Sequence, residues 1–344
     1  MARQIRIGQV GIGYWGPNLA RNLDSVEGCE LAWLCDADAA AREKWQRIYP
    51  ETKFTADIDD LLADPDLDAV AITTPVPTHA PLAETVIEAG KHCFVEKPLA
   101  QNLADAERIV ALAEEHDRIL MVGHLLEYHP GVDQLREMIR EGSLGDVRYI
   151  YAQRLNLGRI RADENALWSL GAHDVSVLLS LTGGELPVEA SARGQAYIQD
   201  GIEDVVFAYL QFESGMAGHL HLSWLDPHKA RKITVVGSRR MASLDDMDME
   251  RKLTVWDKGF DPHESSFGDR EYVSRSGGVW SPAISSREPL RIECEHFVEC
   301  LRHGIQPRSD GHNGARVVRV LEALQASLDA GGSPQPVGAA ALSG

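Results

Sequence analysis

The first strand and the turn that follows it constrain this chain most. Ile5 to Val10 runs apolar into Gly11-Ile12-Gly13-Tyr14-Trp15-Gly16, and Pro17 then opens a helical pattern of Leu19, Ala20, Leu23 and Val26. Strand, glycine turn and helix in immediate succession form a dinucleotide cradle. Gly11 permits the tight turn, Gly13 lets bare backbone approach a pyrophosphate, and Gly16 allows close helix–strand packing. The helix N-terminus meets the phosphate charge, and Pro17 suits a first helical turn because its missing N–H costs nothing there. Tyr14 and Trp15, inside the turn, are counted with the glycines as cofactor contacts. The next strand, Glu30 to Cys35, ends in Asp36, 20 residues after Gly16. A carboxylate at that point accepts hydrogen bonds from the adenosine ribose and repels a 2′-phosphate, so NAD is expected over NADP. The alternative for Asp36 is a helix N-cap.

Further along, buried-strand patterns alternate with helical ones. Asp68 to Thr73 ends in Thr74-Pro75-Val76-Pro77-Thr78-His79, with Thr78 expected to cap a helix through Ala89. A second strand carries Cys93-Phe94-Val95 into Glu96-Lys97-Pro98-Leu99, and a third ends at Gly123-His124. This alternation predicts a parallel, doubly wound sheet over residues 1–124. Thr74, Pro75, His79, Glu96, Lys97 and His124 then share one rim with the glycine turn, where open α/β sheets bind ligands. A half-buried amine at such a strand end can have its pKa pulled down far enough to exchange protons near neutrality. The bland alternative is a surface lysine at a turn.

Residues 125–344 read differently. Successive strand patterns without helices between them, roughly 186–197, 203–213, 216–225 and 231–237, predict an α+β domain with a large, mostly antiparallel sheet. The segment 154–161 holds Arg154, Asn156, Arg159 and Arg161, and a later one holds Lys229 and Arg231. In a chain of net charge −18 these are the densest basic stretches, and an anionic ligand needs such local clusters. A solvated face is the alternative. A helix from about Ala166 to Leu181 carries Trp168 and His173. His219 and His221, two apart on one strand face, are read as an outward polar face; no metal is expected.

Composition excludes several classes. The acidic balance argues against non-specific nucleic-acid binding. No apolar run approaches membrane-spanning length, and no apolar signal region precedes Ile5. The five cysteines show no metal or CxxC spacing and are expected reduced and buried, which fits a cytoplasmic setting. The Gly/Ala/Ser/Pro-rich tail after Ala330 is expected to fray.

The glycine turn, Asp36, Thr74-Pro75 with His79, and Glu96-Lys97-Pro98-Leu99 together resemble the glucose–fructose oxidoreductase / inositol dehydrogenase (Gfo/Idh/MocA) family over nearly the whole chain. The resemblance implies a Rossmann domain followed by an open-faced sheet domain. It makes Lys97 catalytic and sets Glu96 on the nicotinamide side of the cofactor. A histidine on a helix is ordinarily a satisfied half-buried residue; the resemblance instead implies that His173 assists the lysine. Asn165, Leu167, Trp168, His173 and Asp174 are similar to the branch acting on nucleotide-linked amino sugars. Ser169 and Ser176 depart from it, standing where relatives carry Asp.

The reading that results is an NAD-dependent dehydrogenase acting on a sugar carbinol, C3 of a nucleotide-linked hexosamine or its uronate. Lys97 and His173 are its catalytic pair, and Arg154, Asn156, Arg159, Trp168, Lys229 and Arg231 its substrate contacts. A homodimer or homotetramer formed through the second sheet is expected. Two rivals are an NAD-retaining glycoside hydrolase of the same fold and a non-catalytic dinucleotide sensor.

Overall fold

The structure is a computed structural model and describes residues 3–158, 160–162, 164–264 and 270–338. In the first half β1 (Ile5–Val10), α1 (Gly16–Ser25), β2 (Cys29–Cys35), α2 (Ala39–Gln46), β3 (Lys53–Thr55), α3 (Ile58–Leu62), β4 (Ala69–Ile72), α4 (His79–Glu88), β5 (His92–Glu96), α5 (Leu103–Glu115) and β6 (Leu120–Gly123) alternate. The second half continues with α6 (Pro130–Arg140), β7 (Val147–Leu157), a π-helical turn (Leu167–Gly171), α7 (Ala172–Leu181), β8 (Glu189–Gln195), β9 (Val205–Gln211), β10 (Ala217–Ser223) and β11 (Leu225–Gly237). It closes with β12 (Met241–Asp245), β13 (Leu253–Glu264), β14 (Arg270–Trp280), α8 (Pro289–His303), α9 (Gly311–Asp329) and β15 (Gln335–Pro336).

The chain divides into two compact units: residues up to Tyr128 with Arg287–Arg319, and His129–Ser286 with the residues from Val320 onward. The first holds a six-stranded parallel sheet in the order β3-β2-β1-β4-β5-β6. The order reverses direction between β1 and β4, so the glycine turn leaves β1 at the switch point where such sheets bind nucleotides. All four residues of β4 are buried, as a strand covered by helices on both faces requires.

The segment 287–319, placed with the second domain on sequence, packs in this first unit. Leu290, Cys294, Phe297 and Val298 of α8 join Leu19, Leu23, Phe94 and Met121 in one core, with Phe94 and Phe297 edge to face at 5.5 Å. Ser309 covers the free edge of β6: its carbonyl accepts from Val122 N at 2.7 Å and its hydroxyl donates to Val122 O at 2.7 Å. An exposed strand edge is thereby satisfied.

The second unit is a nine-stranded sheet, β14-β13-β12-β11-β7-β10-β9-β8-β15, antiparallel except where β10 meets β7. Ile150, Ala152 and Arg154 of β7 pair in register with Val235, Ile233 and Arg231 of β11, and this face is buried. The opposite face leaves Tyr149, Phe207 and Tyr209 exposed, so the sheet is open on one side. Two features differ from the sequence expectation. Leu253–Glu264 and Arg270–Trp280 pair antiparallel as two long strands beyond the last strand pattern read from the sequence. The tail does not fray at Ala330: Gln335 and Pro336 pair with Ala190 and Glu189 as an edge strand.

Candidate active site

The glycine turn is held from below by a residue that sequence reading passed over. Gln9, fully buried in β1, donates through Nε2 to Gly11 O at 2.8 Å, Gly16 O at 2.9 Å and Thr73 Oγ1 at 3.1 Å. Thr73 Oγ1 in turn lies 2.5 Å from Gly11 O. A glutamine inside the otherwise apolar run Ile7–Val10 was the available signal. The three glycines then differ in role. Gly11 sits at φ +94, and a β-carbon on it would meet the Thr73 backbone at 2.9 Å. A β-carbon on Gly16 would lie 2.3 Å from Gly11 O, whereas one on Gly13 would meet nothing within 4 Å. Gly13 thus presents bare backbone to open space beside the start of α1, which no side chain caps. Tyr14 is exposed and Trp15 half-buried.

Asp36 ends β2 with its carboxylate turned to this turn, Oδ2 accepting from Ile12 N at 2.8 Å and Oδ1 from Asp38 N at 2.9 Å. The N-cap of α2 is Asp38, not Asp36. Arg42 donates to the Asp36 and Ala37 carbonyls at 2.5 and 3.0 Å.

On the same rim Trp15 Nε1 donates to Glu96 Oε1 at 2.6 Å, tying the glycine turn to the end of β5. Glu96 Oε2 accepts from Lys97 N at 3.2 Å, and the Lys97–Pro98 peptide is cis. Burial pushes the Glu96 carboxyl up from its ordinary 4.5 to about 7, against the pull of Lys97 and of the Trp15 hydrogen bond. Such a group binds its proton more tightly folded than unfolded. Its contribution to stability is therefore complete below about pH 4.5 and lost as the pH rises to about 7. Glu96→Gln keeps an acceptor for Trp15 and should flatten the fall in thermal stability across that window. An unchanged slope would mean that Glu96 does not titrate there.

Lys97 is half-buried. His124 is buried, and its two ring nitrogens have no hydrogen-bond partner among the described residues. Burial, and the charge of Lys97 after it, push His124 down to about 3, so it is a neutral imidazole able to donate or accept but not to carry a proton charge. Beneath β5, Glu293 of α8 is fully buried, with neither carboxyl oxygen hydrogen-bonded among the described residues. Burial, and after it the nearby Glu96 and Glu127, push its pKa well above the ordinary carboxyl range, favouring the protonated form. Helical spacing sets Glu293 on the same stripe as Leu290, Cys294 and Phe297, a carboxyl in an otherwise apolar row that was the available signal.

The structure assigns His79 a different place from the one expected. It is buried, Nδ1 2.9 Å from Pro98 O and Nε2 2.8 Å from Thr74 O, so it ties the Thr74-Pro75 loop to the lysine loop and does not line the cradle. Thr78 stands at the N-cap position of α4 without a side-chain cap bond; its hydroxyl lies 2.6 Å from Thr74 Oγ1 and 2.7 Å from Pro75 O instead.

In the second unit the basic segments separate. Arg154 is buried and forks onto Asp174 of α7, Nε to Oδ2 at 2.7 Å and Nη2 to Oδ1 at 2.9 Å. It is therefore engaged within the fold through this pair. Arg231, its cross-strand neighbour, is half-buried, donates to Leu155 O and Ala230 O at 3.0 and 2.8 Å, and forms no ion pair with a described carboxylate. Asn156 lies two residues beyond Arg154 on β7, and its buried Oδ1 has no hydrogen-bond partner among the described residues. Lys229 is exposed at the bulge of β11, and Arg161 pairs with Glu164 at 2.7 Å. Arg159 lies outside the described residues. Trp168 donates through Nε1 to Gln325 Oε1 at 3.2 Å, and Asn165 donates to the same oxygen at 2.9 Å and to Glu203 at 2.7 Å. His173 is half-buried and is the second residue of α7, two residues past the π-helical turn, while Ser169 and Ser176 are buried. His219 and His221 lie on the open face, His221 stacked on Phe207 at 4.3 Å. No cluster of metal-ligating side chains occurs among the described residues, and the five cysteines are buried and unpaired.

A doubly wound sheet with this turn, strand-end carboxylate and strand-end lysine defines a dinucleotide-dependent oxidoreductase. Family matches agree: residues 5–124 match the oxidoreductase family with an NAD-binding Rossmann fold (GFO_IDH_MocA), and residues 132–243 match the GFO/IDH/MocA C-terminal domain. The chain belongs to the Gfo/Idh/MocA family. It is 28% identical to a UDP-N-acetylglucosamine 3-dehydrogenase of Acidithiobacillus ferrooxidans, over 95% of this chain and 98% of that one. It is also 28% identical to a scyllo-inositol 2-dehydrogenase (NAD⁺) of Bacillus subtilis, over 89% of each. The solved structure of the Acidithiobacillus enzyme superposes with a TM-score of 0.81 at 26% identity, covering 96% of this chain and 99% of that one. No helix among the described residues is long and apolar enough to cross a membrane.

Proposed function

We propose that the protein is an NAD-dependent dehydrogenase acting on a secondary hydroxyl of a sugar, C3 of a nucleotide-linked hexosamine or its uronate. The observation that carries this reading is the Trp15–Glu96 bond, which sets Lys97 on the same rim as the cofactor cradle. The residues fit the dinucleotide. Gly13 offers open backbone, α1 an uncapped N-terminus, Asp36 a ribose acceptor, and His124 two unmatched ring nitrogens. Bound NAD⁺ supplies the hydride acceptor for the carbinol carbon. Lys97 takes the hydroxyl proton, assisted by His173. Neutral His124 can hold an amide or hydroxyl without adding charge. The amino-sugar substrate is supported by the Acidithiobacillus relative and by Asn165, Trp168 and Asp174.

The test is to incubate the protein with NAD⁺ and a panel of UDP-linked sugars, following NADH. Stoichiometric NADH supports a dehydrogenase. Sugar released without net NADH points to a glycosidase, and cofactor binding without turnover on any sugar points to a sensor.

NAD is favoured over NADP because the Asp36 carboxylate stands at the ribose position. Asp36→Ser should narrow the ratio of kcat/KM for NAD⁺ over NADP⁺ by removing both an acceptor and a repulsive charge. An unchanged ratio would show that Asp36 does not read the ribose.

Arg231 is the best supported anion contact, because Arg154 is forked onto Asp174 while Arg231 forms no ion pair among the described residues, the charges of Asp174 and Asp246 reaching it only from farther off. Arg231→Ala should raise KM for a UDP-sugar about 10-fold or more with a smaller effect on kcat, since a charge-assisted contact contributes on the order of 1.5–3 kcal/mol. Equal KM in wild type and variant would remove Arg231 from the site.

A further inference from the structure

His173 and Asp174 are neighbours on α7, so their side chains leave the helix about 100° apart. Asp174 is 2% exposed and is gripped at both oxygens by the Arg154 fork, at 2.7 and 2.9 Å. Arg154 stands on β7, an interior strand of the nine-stranded sheet, hydrogen-bonded to β10 on one side and β11 on the other. A planar fork on a carboxylate fixes both distance and rotation. Packing orients the body of the helix, eight of whose ten residues are buried, and the fork adds a directional reference in its first turn. The π-helical turn Leu167–Gly171 interrupts the regular ladder immediately before Ala172, so α7 does not inherit its rotational register from an unbroken preceding helix.

We propose that the Arg154–Asp174 ion pair is the positioning device for His173: by fixing the rotation of α7, it fixes the direction in which the imidazole leaves the helix. Arg154 and Asp174 are positioning residues that need not touch substrate. The inference rests on the reading of His173 as the residue that assists Lys97, and it assigns a role to one of the basic residues expected to contact substrate. It also separates the two cross-strand arginines: Arg154 orients the helix, and Arg231 keeps its charge for the ligand.

The test uses the full chain saturated with NAD⁺, with UDP-N-acetylglucosamine as the probe. Arg154→Lys keeps the charge but loses the fork. The double variant Arg154→Met/Asp174→Leu removes both charges, leaving none buried and unpaired, so it should fold with a thermal midpoint near that of wild type. Both should lose roughly 10- to 100-fold in kcat, the scale on which a small misplacement acts, with KM for NAD⁺ changed by less than about two-fold. The ring signal of His173 in an NMR spectrum of the holo protein should shift or broaden in both variants, while those of His129 and His221 stay in place. His173→Gln is measured in parallel. If it keeps the wild-type kcat, the catalytic reading of His173 fails, and the ring signal alone judges the positioning. If His173→Gln loses activity while the double variant keeps both wild-type kcat and an unmoved ring signal, the positioning proposal is overturned. With a probe that is not turned over, the ring signal again decides.

Discussion

Replacing Lys97 with alanine should lower kcat by roughly 10²- to 10⁴-fold, the range that a positioned acid–base group contributes. The affinity for NAD⁺ should stay within a few-fold. The two expectations separate because the cofactor cradle and the amine are built by different parts of the rim. Gln9, Thr73 and the three glycines shape the turn through main-chain carbonyls, and none of those bonds involves Lys97. What the amine does change is its electrostatic surroundings. Its charge lowers the pKa of both Glu96 and His124, against burial in the first case and with it in the second. Without the lysine, Glu96 should hold its proton to a still higher pH. Single-turnover measurement of NADH formation, alongside cofactor titration by fluorescence, checks both halves. A variant that keeps more than half of the wild-type chemical rate would exclude Lys97 as the proton acceptor.

Gly16→Ala and Gly13→Ala should have opposite signatures although both alter the same turn. The added methyl at Gly16 would lie 2.3 Å from Gly11 O and 2.9 Å from Gln9 Nε2. Backbone cannot yield that much locally, so the turn must open and the Gln9 bonds to Gly11 and Gly16 must lengthen or break. Overpacking of this kind costs about 1–3 kcal/mol. The variant should therefore unfold at a lower temperature even without cofactor and bind NAD⁺ at least about 10-fold more weakly, a loss on the order of 1.4 kcal/mol. At Gly13 the methyl meets nothing within 4 Å, so thermal stability of the free protein should be unchanged. Only the approach of the pyrophosphate is obstructed, and NAD⁺ affinity alone should fall. Calorimetric unfolding with and without NAD⁺ distinguishes the cases. Equal loss of apo stability in both variants would refute the division of labour drawn between the two glycines.

Much of the first unit was legible because its signals are local. The period of its strands and helices, the glycine turn, and Asp36 and Lys97 at strand ends each depend on a few adjacent residues. The parallel sheet order then follows from short right-handed crossovers. The basic residues of the second unit were not legible in the same way. Arg154 and Arg231 read alike in the sequence, yet one is committed to Asp174 and the other has no carboxylate partner among the described residues. His79 matched a motif, and its ring turns out to bridge two loop carbonyls.

The sequence by itself determined the fold class, the position of the cofactor turn and the strand-end lysine, because backbone geometry and hydrophobic period act over a few residues and leave few alternatives. Tertiary structure alone decided which polar side chains are available for chemistry. That depends on partners distant in the chain: Gln9 meeting Thr73 64 residues away, Trp15 meeting Glu96 81 residues away, and Arg154 meeting Asp174 across strand and helix. It also decided that α8 belongs with the first unit, where it brings the buried carboxyl of Glu293 beneath the strand that carries Lys97. A charge in a sequence has no fixed meaning until burial and a partner give it one, since desolvation and pairing act with opposite signs on the same group.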